Sequence, residues 1–264
     1  MEDKIYRANI KMVGTVLPDT KLIIKKYLDV KDIEVLKKEV IENNLVLKSS
    51  ARRSETIYYE VRKRYLKDQL NGFNESSFIC FCQNFSNDLF LNLVFYYYLC
   101  KEEKIVYDYI TSVAFERYND GFLGVSSADT EEYILSLGKV DKNVLTWSER
   151  TVNDVRSALI GILKDFGFIN SRKRAVFNKV FVPSIIFYYV IYECKNNLKS
   201  IEDVYELEDL KLFLLLKTDI DILLQEAYRN GVIDFKEEEG IKKLIFKFND
   251  VKEIIKGYVN GEIQ

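Results

Sequence analysis

The side chains with the clearest chemistry are cationic and lie in two runs. Lys48, Arg52, Arg53, Arg62, Lys63, Arg64 and Lys67 fall within twenty consecutive positions that hold only two acids, Glu55 and Glu60. That surplus of five positive charges stands in a chain whose formal net charge is −2. A second run, residues 148–180, holds Arg150, Arg156, Lys164, Arg172, Lys173, Arg174 and Lys179 against three acids, a surplus of four. Guanidinium and ammonium groups gathered in this way suit phosphate oxygens, through charge-assisted hydrogen bonds and release of condensed counterions. Segregated positive charge is the electrostatic footprint of a surface for an anionic polymer. A solvated helix face is the competing explanation for each run, and Glu60 interrupts the first.

Other chemistries find little support. No His is present, which removes Ser-His-Asp and Cys-His catalysis, His-ligated zinc and imidazole acid–base work. Cys80, Cys82, Cys100 and Cys194 show no Cys-x-x-Cys spacing and stand among aromatic and aliphatic neighbours, the pattern of reduced core thiols. Asp88 with Glu102, Glu103 and Lys104 matches a Mg²⁺-dependent nuclease cluster only superficially, because acids and lysines are common here and the segment reads as helical. No glycine-rich phosphate loop or nucleophile with a neighbouring base occurs. The sequence therefore predicts a binding role, with no catalytic residue, metal ligand or cofactor. MEDKIYRANI lacks a secretory pattern. The most apolar run, Leu89 to Cys100, is about half of the ~20 residues a membrane helix needs. A cytoplasmic protein is expected.

Helices must position these charges. A composition of 48% hydrophobic and 30% charged residues with only two prolines favours a mainly α, helical globular fold with few breaks. Leu17-Pro18-Asp19-Thr20 starts one helix. Ile33, Leu36, Val40 and Ile41 mark a second, ending at Asn43-Asn44. A third is predicted behind Ser49 or Ser50, with Ile57, Tyr58, Val61 and Tyr65 on its packed side. Arg52, Arg53, Lys63, Arg64 and Lys67 then occupy an adjoining arc of roughly 120°. Helix, short turn and basic helix is the layout of a helix-turn-helix.

Residues 68–147 reverse the charge, with five Lys/Arg against twelve Asp/Glu, and hold the densest apolar material. They read as a helical scaffold. Val152, Val155, Leu159, Ile162, Leu163 and Phe166 predict a helix stopped by Gly167. Phe168-Ile169 with Val176, Val180 and Val182 then predict a short hairpin whose tip carries Arg172, Lys173 and Arg174. This is a winged-helix outline, the tip on the phosphate backbone and Arg150 and Arg156 facing the groove. The helix–Gly–strand pattern recurs at residues 220–248 around an acidic turn, Glu237-Glu238-Glu239-Gly240. Residues 181–264 carry eleven Lys/Arg against sixteen Asp/Glu. That end repels phosphate, and solvation or a protein partner suits it better. The expected organisation is a helix-turn-helix region (1–70), a helical core scaffold (71–147) and a winged-helix-like region (148–264), with one or two short β-hairpins.

LPDTKLIIKKYL from Leu17, IENNLVLKSSARRSETIYYEVRKRYL from Ile41, and the segment Trp147 to Ile169 resemble the BrxA family, small core proteins of bacteriophage-exclusion (BREX) systems. The resemblance implies a largely α-helical monomer with helix-turn-helix elements that binds double-stranded DNA. It also implies work beside the methyltransferase, ATPase and phosphatase-like components of a phage-defence complex. Lys48, Arg52, Arg53, Arg62, Lys63 and Arg64 are the positions to which family-type DNA contact carries over. Duplex DNA held mainly by its phosphates is the leading expectation. A protein–protein adaptor for other defence components and an RNA-binding helical protein are the alternatives.

Overall fold

Proline and glycine, the residues that most weaken a helix interior, number two and eleven in 264 residues, and the backbone is accordingly mainly helical. The computed structural model describes residues 6–238 and 241–263. Glu239 and Gly240 of the expected acidic turn lie outside the described residues. Two units divide the chain, one of residues 1–79 and 95–179, the other of residues 80–94 and 180–264.

The first unit opens with α1 (Ile10–Val13), α2 (Leu17–Val30), α3 (Ile33–Ile41) and α4 (Ala51–Tyr65). Pro18 sits in the first turn of α2, where its fixed φ suits a helix and its missing donor costs nothing. Asp32 caps α3 by accepting from the amides of Glu34 and Val35 at 2.8 and 2.9 Å. Ser50 caps α4 by accepting from the amide of Arg53 at 3.3 Å. Ile23, Ile24 and Tyr27 of α2, Leu36 and Val40 of α3, and Ile57, Tyr58 and Val61 of α4 are buried at helical spacing. The three helices pack together on these stripes, as the periodicity predicts. The link between α3 and α4 is longer than the short turn expected of a helix-turn-helix. It takes nine residues, 42–50, with Asn44 and Leu47 at positive φ.

The chain continues through α5 (Ser77–Asn84), α6 (Asp88–Glu102), α7 (Lys104–Tyr109), a π turn (Ile110–Ala114), α8 (Phe115–Asn119), α9 (Ser127–Leu137) and α10 (Glu149–Asp165). Ser126 and Asp129 form a reciprocal capping box on α9. Ser148 caps α10 through the amide of Thr151 at 3.2 Å. Both α1 and α9 pack against α10.

After α10, Gly167 takes φ 87 and turns the chain, but the predicted first hairpin is not a strand ladder. Only isolated bridges occur there, Ile169 with Phe177 and Gly124 with Val176. The two arms still bond each other, Asn170 N donating to Val176 O and Asn178 N to Phe168 O, each at 2.9 Å. Segment 123–125 joins the other edge of the second arm: Val125 N donates to Ala175 O at 3.1 Å, and Phe177 N to Leu123 O at 2.8 Å. The basic residues 172–174 lie on the turn that joins the two paired arms 168–170 and 176–178.

The second unit holds α11 (Ser184–Glu193), α12 (Ile201–Tyr205), α13 (Glu208–Lys211), α14 (Lys217–Arg229), β1 (Ile233–Glu238), β2 (Ile241–Phe246) and α15 (Val251–Val259). Buried from Ile185 to Tyr192, α11 packs against α14 and α15. β1 and β2 form the expected hairpin, antiparallel with Ile233 opposite Phe246 and Phe235 opposite Leu244. The Tyr192 hydroxyl ties its root to α11, donating to Val232 O at 2.6 Å and accepting from Lys247 N and Phe248 N at 3.2 Å. Among the described residues, no helix is long and apolar enough to cross a membrane.

Candidate nucleic-acid interface

All fourteen cations of the two runs belong to the first unit. Their environments divide α4 into two halves. At its C-terminal end Arg64 is buried, with Nε 3.1 Å from Glu103 Oε1, Nη1 donating to Gly14 O at 2.8 Å, and Nη2 3.5 Å from Glu60 Oε2. Expected on the basic arc, Arg64 instead belongs to the core, because it follows Ile57 by seven residues and Val61 by three. Those spacings place it on the packed stripe. Lys63 Nζ lies 3.2 Å from Glu103 Oε1 and 3.8 Å from Glu102 Oε1, and Lys67 Nζ lies 3.2 Å from Glu102 Oε2. Glu102 and Glu103, the acids of the superficial nuclease match, are therefore counterions of this end of α4. Burial raises the Glu60 carboxyl above its ordinary value, against the pull of Arg64 and with a push from Glu103.

The N-terminal half is different. Arg52 is exposed and has no acidic partner among the described residues. Arg53 Nη1 donates to Met12 O at 2.7 Å, which leaves its other N–H groups for a ligand. Lys48 Nζ rests on Asp19 Oδ1 at 2.9 Å. Arg62 belongs to the C-terminal half, where it lies over the Tyr59 and Tyr58 rings at 5.1 and 6.0 Å, a cation–π arrangement. The N-terminal half is set in place by Asn44, whose Oδ1 accepts from Lys48 N at 2.9 Å and Ser54 Oγ at 3.1 Å. The Nδ2 of the same side chain donates to Lys48 O at 2.9 Å.

From the second run, Arg150 stands exposed at the start of α10, 3.9 Å from Asp154 Oδ2. Arg156 is paired with Glu131. Lys173 and Arg174 are exposed and free of acidic partners among the described residues. Arg172 Nη2 lies 3.3 Å from Asp165 Oδ1.

Arg172 and Arg53, from the two separate runs, line one cleft of 440 Å³ together with Lys11, Asp154, Gly161 and Asp165. The floor is built by α1 and α10, and Thr15 Oγ1 donates to Asp165 Oδ2 at 2.7 Å across it. Lys11 Nζ reaches Thr151 Oγ1 at 2.9 Å. Sequence reasoning missed Lys11, Thr15, Asp165 and Gly161 as parts of this arrangement. Only Gly161 carried a local signal, a glycine inside an apolar helical repeat. The cleft can accept an oxyanion, since its cations have spare donors and outnumber its acids.

A family model described as BrxA matches residues 4–191 of the chain. Among solved structures, an uncharacterized protein from Magnetospirillum magneticum is similar in fold, with TM-score 0.60 and 16% identity. That match covers 79% of this chain and 97% of the other. Comparison with curated proteins gives no match.

Proposed function

The chain belongs to the BrxA family, a component of bacteriophage-exclusion (BREX) phage defence, and we propose that within that defence it binds double-stranded DNA as a monomer and catalyses no reaction. What supports this reading most is the meeting of Arg53 and Arg172, brought from separate basic runs to one cleft. Arg52, Arg150, Lys173 and Arg174 extend the positive surface with side chains exposed to solvent. Lys63, Arg64 and Lys67 are set aside, because Glu60, Glu102 and Glu103 already neutralise them. Contact is with phosphate, so each phosphate neutralised steepens the fall of affinity with salt by about 0.9 in log–log slope.

The test is duplex binding followed by fluorescence anisotropy between low and moderate salt. Unaltered protein is expected to bind with a steep salt dependence, and the triple variant Arg52→Glu, Arg53→Glu, Arg172→Glu to lose binding while keeping its helical circular-dichroism spectrum. A flat salt dependence, or a triple variant that binds normally, removes the reading. Competition between duplex DNA and duplex RNA of one sequence decides which polymer is preferred.

A second reading, docking of other defence proteins, draws on Phe122 and Leu123, exposed 51% and 81% after α8. Capture of defence proteins that survives nuclease treatment, with no duplex binding at low salt, would favour it.

A further inference from the structure

Glycine inside a helix loses more backbone freedom on folding than alanine and contributes no packing. Gly161 is nevertheless buried within α10, and the space its side chain would fill is taken by Arg172. A Cβ built on Gly161 would lie 3.2 Å from Cζ, 3.2 Å from Nη2 and 3.4 Å from Nε of that arginine. Three guanidinium atoms at nearly equal distance mean that the plane of the group lies face-on above the glycine. One turn onward along α10, Asp165 Oδ1 takes Nη2 at 3.3 Å, and Thr15 holds Asp165 from the far side at 2.7 Å. Arg172 is therefore fixed by one face and one edge while its side chain stays 61% exposed. Its Nε and Nη1 have no protein partner among the described residues.

We propose that Gly161 is a positioning residue that seats Arg172, so that Arg172 and Arg53 clamp one backbone phosphodiester of a DNA duplex in this cleft. The proposal rests on the DNA-binding reading above and adds where a phosphate sits and what orients its ligand. Charge supports a phosphodiester: the cleft is lined by Lys11, Arg53 and Arg172 against Asp154 and Asp165, a surplus of one. A planar guanidinium held at fixed orientation loses less freedom per hydrogen bond to a phosphate than a swinging one. With alanine at 161 the added methyl would crowd the guanidinium at 3.2–3.4 Å, and Arg172 would have to give by a few tenths of an ångström away from α10.

The experiment measures duplex affinity against salt for the full chain and for Gly161→Ala, Arg172→Ala, Arg172→Lys and the doubles Gly161→Ala/Arg172→Ala and Gly161→Ala/Arg172→Lys. Gly161→Ala is expected to melt no lower than the unaltered protein, since alanine favours the helix. It is expected to bind DNA several-fold more weakly, with a slope shallower by about 0.9, the loss of one phosphate. Gly161→Ala should add nothing to Arg172→Ala, and little to Arg172→Lys, whose flexible stem does not lie over residue 161. Should Gly161→Ala melt early, Thr15→Val loosens Asp165, the edge partner of Arg172, without changing the charge of the cleft and is expected to give the same shallower slope.

Normal affinity and slope in Gly161→Ala, with loss in Arg172→Ala, would overturn the seat alone. An equal loss from Gly161→Ala in every background would assign the effect to α10 and overturn it too. Inorganic phosphate that competes as well as duplex would overturn the assignment to the backbone. Absence of salt-dependent duplex binding in the unaltered protein would take down the underlying reading and this proposal together.

Discussion

Arg64 Nε lies 3.1 Å from Glu103 Oε1, with the two side chains 1% and 4% exposed and 39 positions apart in sequence. The contact fastens α4 to the chain following α6, and through Nη1 to Gly14 it also fastens α4 to the loop that leads into α2. Arg53, about three turns earlier on α4, grips the end of α1 just before that loop, at Met12 O. The helix that presents Arg52 and Arg53 is thereby held at both ends against the floor of the cleft.

Removing one partner of this buried pair leaves the other with a single counterion, Lys63 for Glu103 or Glu60 for Arg64, at a cost toward the lower end of the ~3–5 kcal/mol of a broken buried pair. Arg64→Met is expected to lower stability by that order in urea denaturation, and Glu103→Gln to do likewise. The double variant, which buries no isolated charge at this pair, should lose much less than the sum of the two. Additive losses would mean that the pair is not coupled.

Glu60 sets a pH dependence of definite sign. Burial raises its pKa in the folded protein above the ordinary value, with Arg64 opposing and Glu103 adding to the rise. The folded state then binds this proton more tightly than the unfolded state, so stability falls as pH rises through the interval between the two pKa values. Glu60→Gln is expected to be more stable than the unaltered protein at neutral pH. Its advantage should shrink as pH falls through the raised pKa and vanish below the ordinary carboxylate value of about 4.3. Denaturation of both proteins across this range checks it, and an advantage that grows on acidification would contradict it.

Helix starts and packed faces were legible because caps and periodicity are local: Asp32, Ser50 and the Ile57–Tyr58–Val61 stripe act within a few residues of themselves. Arg64 was on that stripe by spacing, yet arginine is rarely buried fully without a partner, and the partner Glu103 lies too far along the chain for a local pattern to reveal it. The alternating valines after Gly167 read as a hairpin, and its arms do bond each other, but residues 123–125 bond the far edge of the second arm, a partner no local pattern reveals. At Gly231 the equivalent pattern does make a ladder, since β2 follows directly and Tyr192 anchors its root. Charge counting found both basic runs. Their convergence depends on α1 and α10 packing together, which no local pattern contains.

Asn44 controls how α4 begins. Its φ of 50 lies in the left-handed region, and its side chain makes three hydrogen bonds to Lys48 and Ser54. Asn44→Gly keeps the backbone conformation and loses those bonds, for a cost of about 1–3 kcal/mol. Asn44→Ala should cost a further ~1 kcal/mol or more, because the left-handed conformation then carries a Cβ. Thermal denaturation that ranks the unaltered protein above glycine and glycine above alanine is the expected result. The reverse order would show that the hydrogen bonds do not hold the turn.

The two halves of α4 also predict unequal responses to neutralisation. Lys67 is 60% exposed and looks available, but its ammonium already has Glu102 at 3.2 Å, and Lys63 shares the same acid at 3.8 Å. A phosphate arriving there must displace a carboxylate, and the net field it meets is weak. Arg52 has no such partner among the described residues, so its whole charge faces the solvent. Arg52→Ala is expected to weaken duplex binding and to make the salt slope shallower by about 0.9. Lys67→Ala should leave both near their original values, and Glu102→Gln, by freeing Lys63 and Lys67, should tighten binding and steepen the slope. Equal losses from Arg52→Ala and Lys67→Ala, with no gain from Glu102→Gln, would mean that the acids move aside on binding and that the contact spans the whole helix.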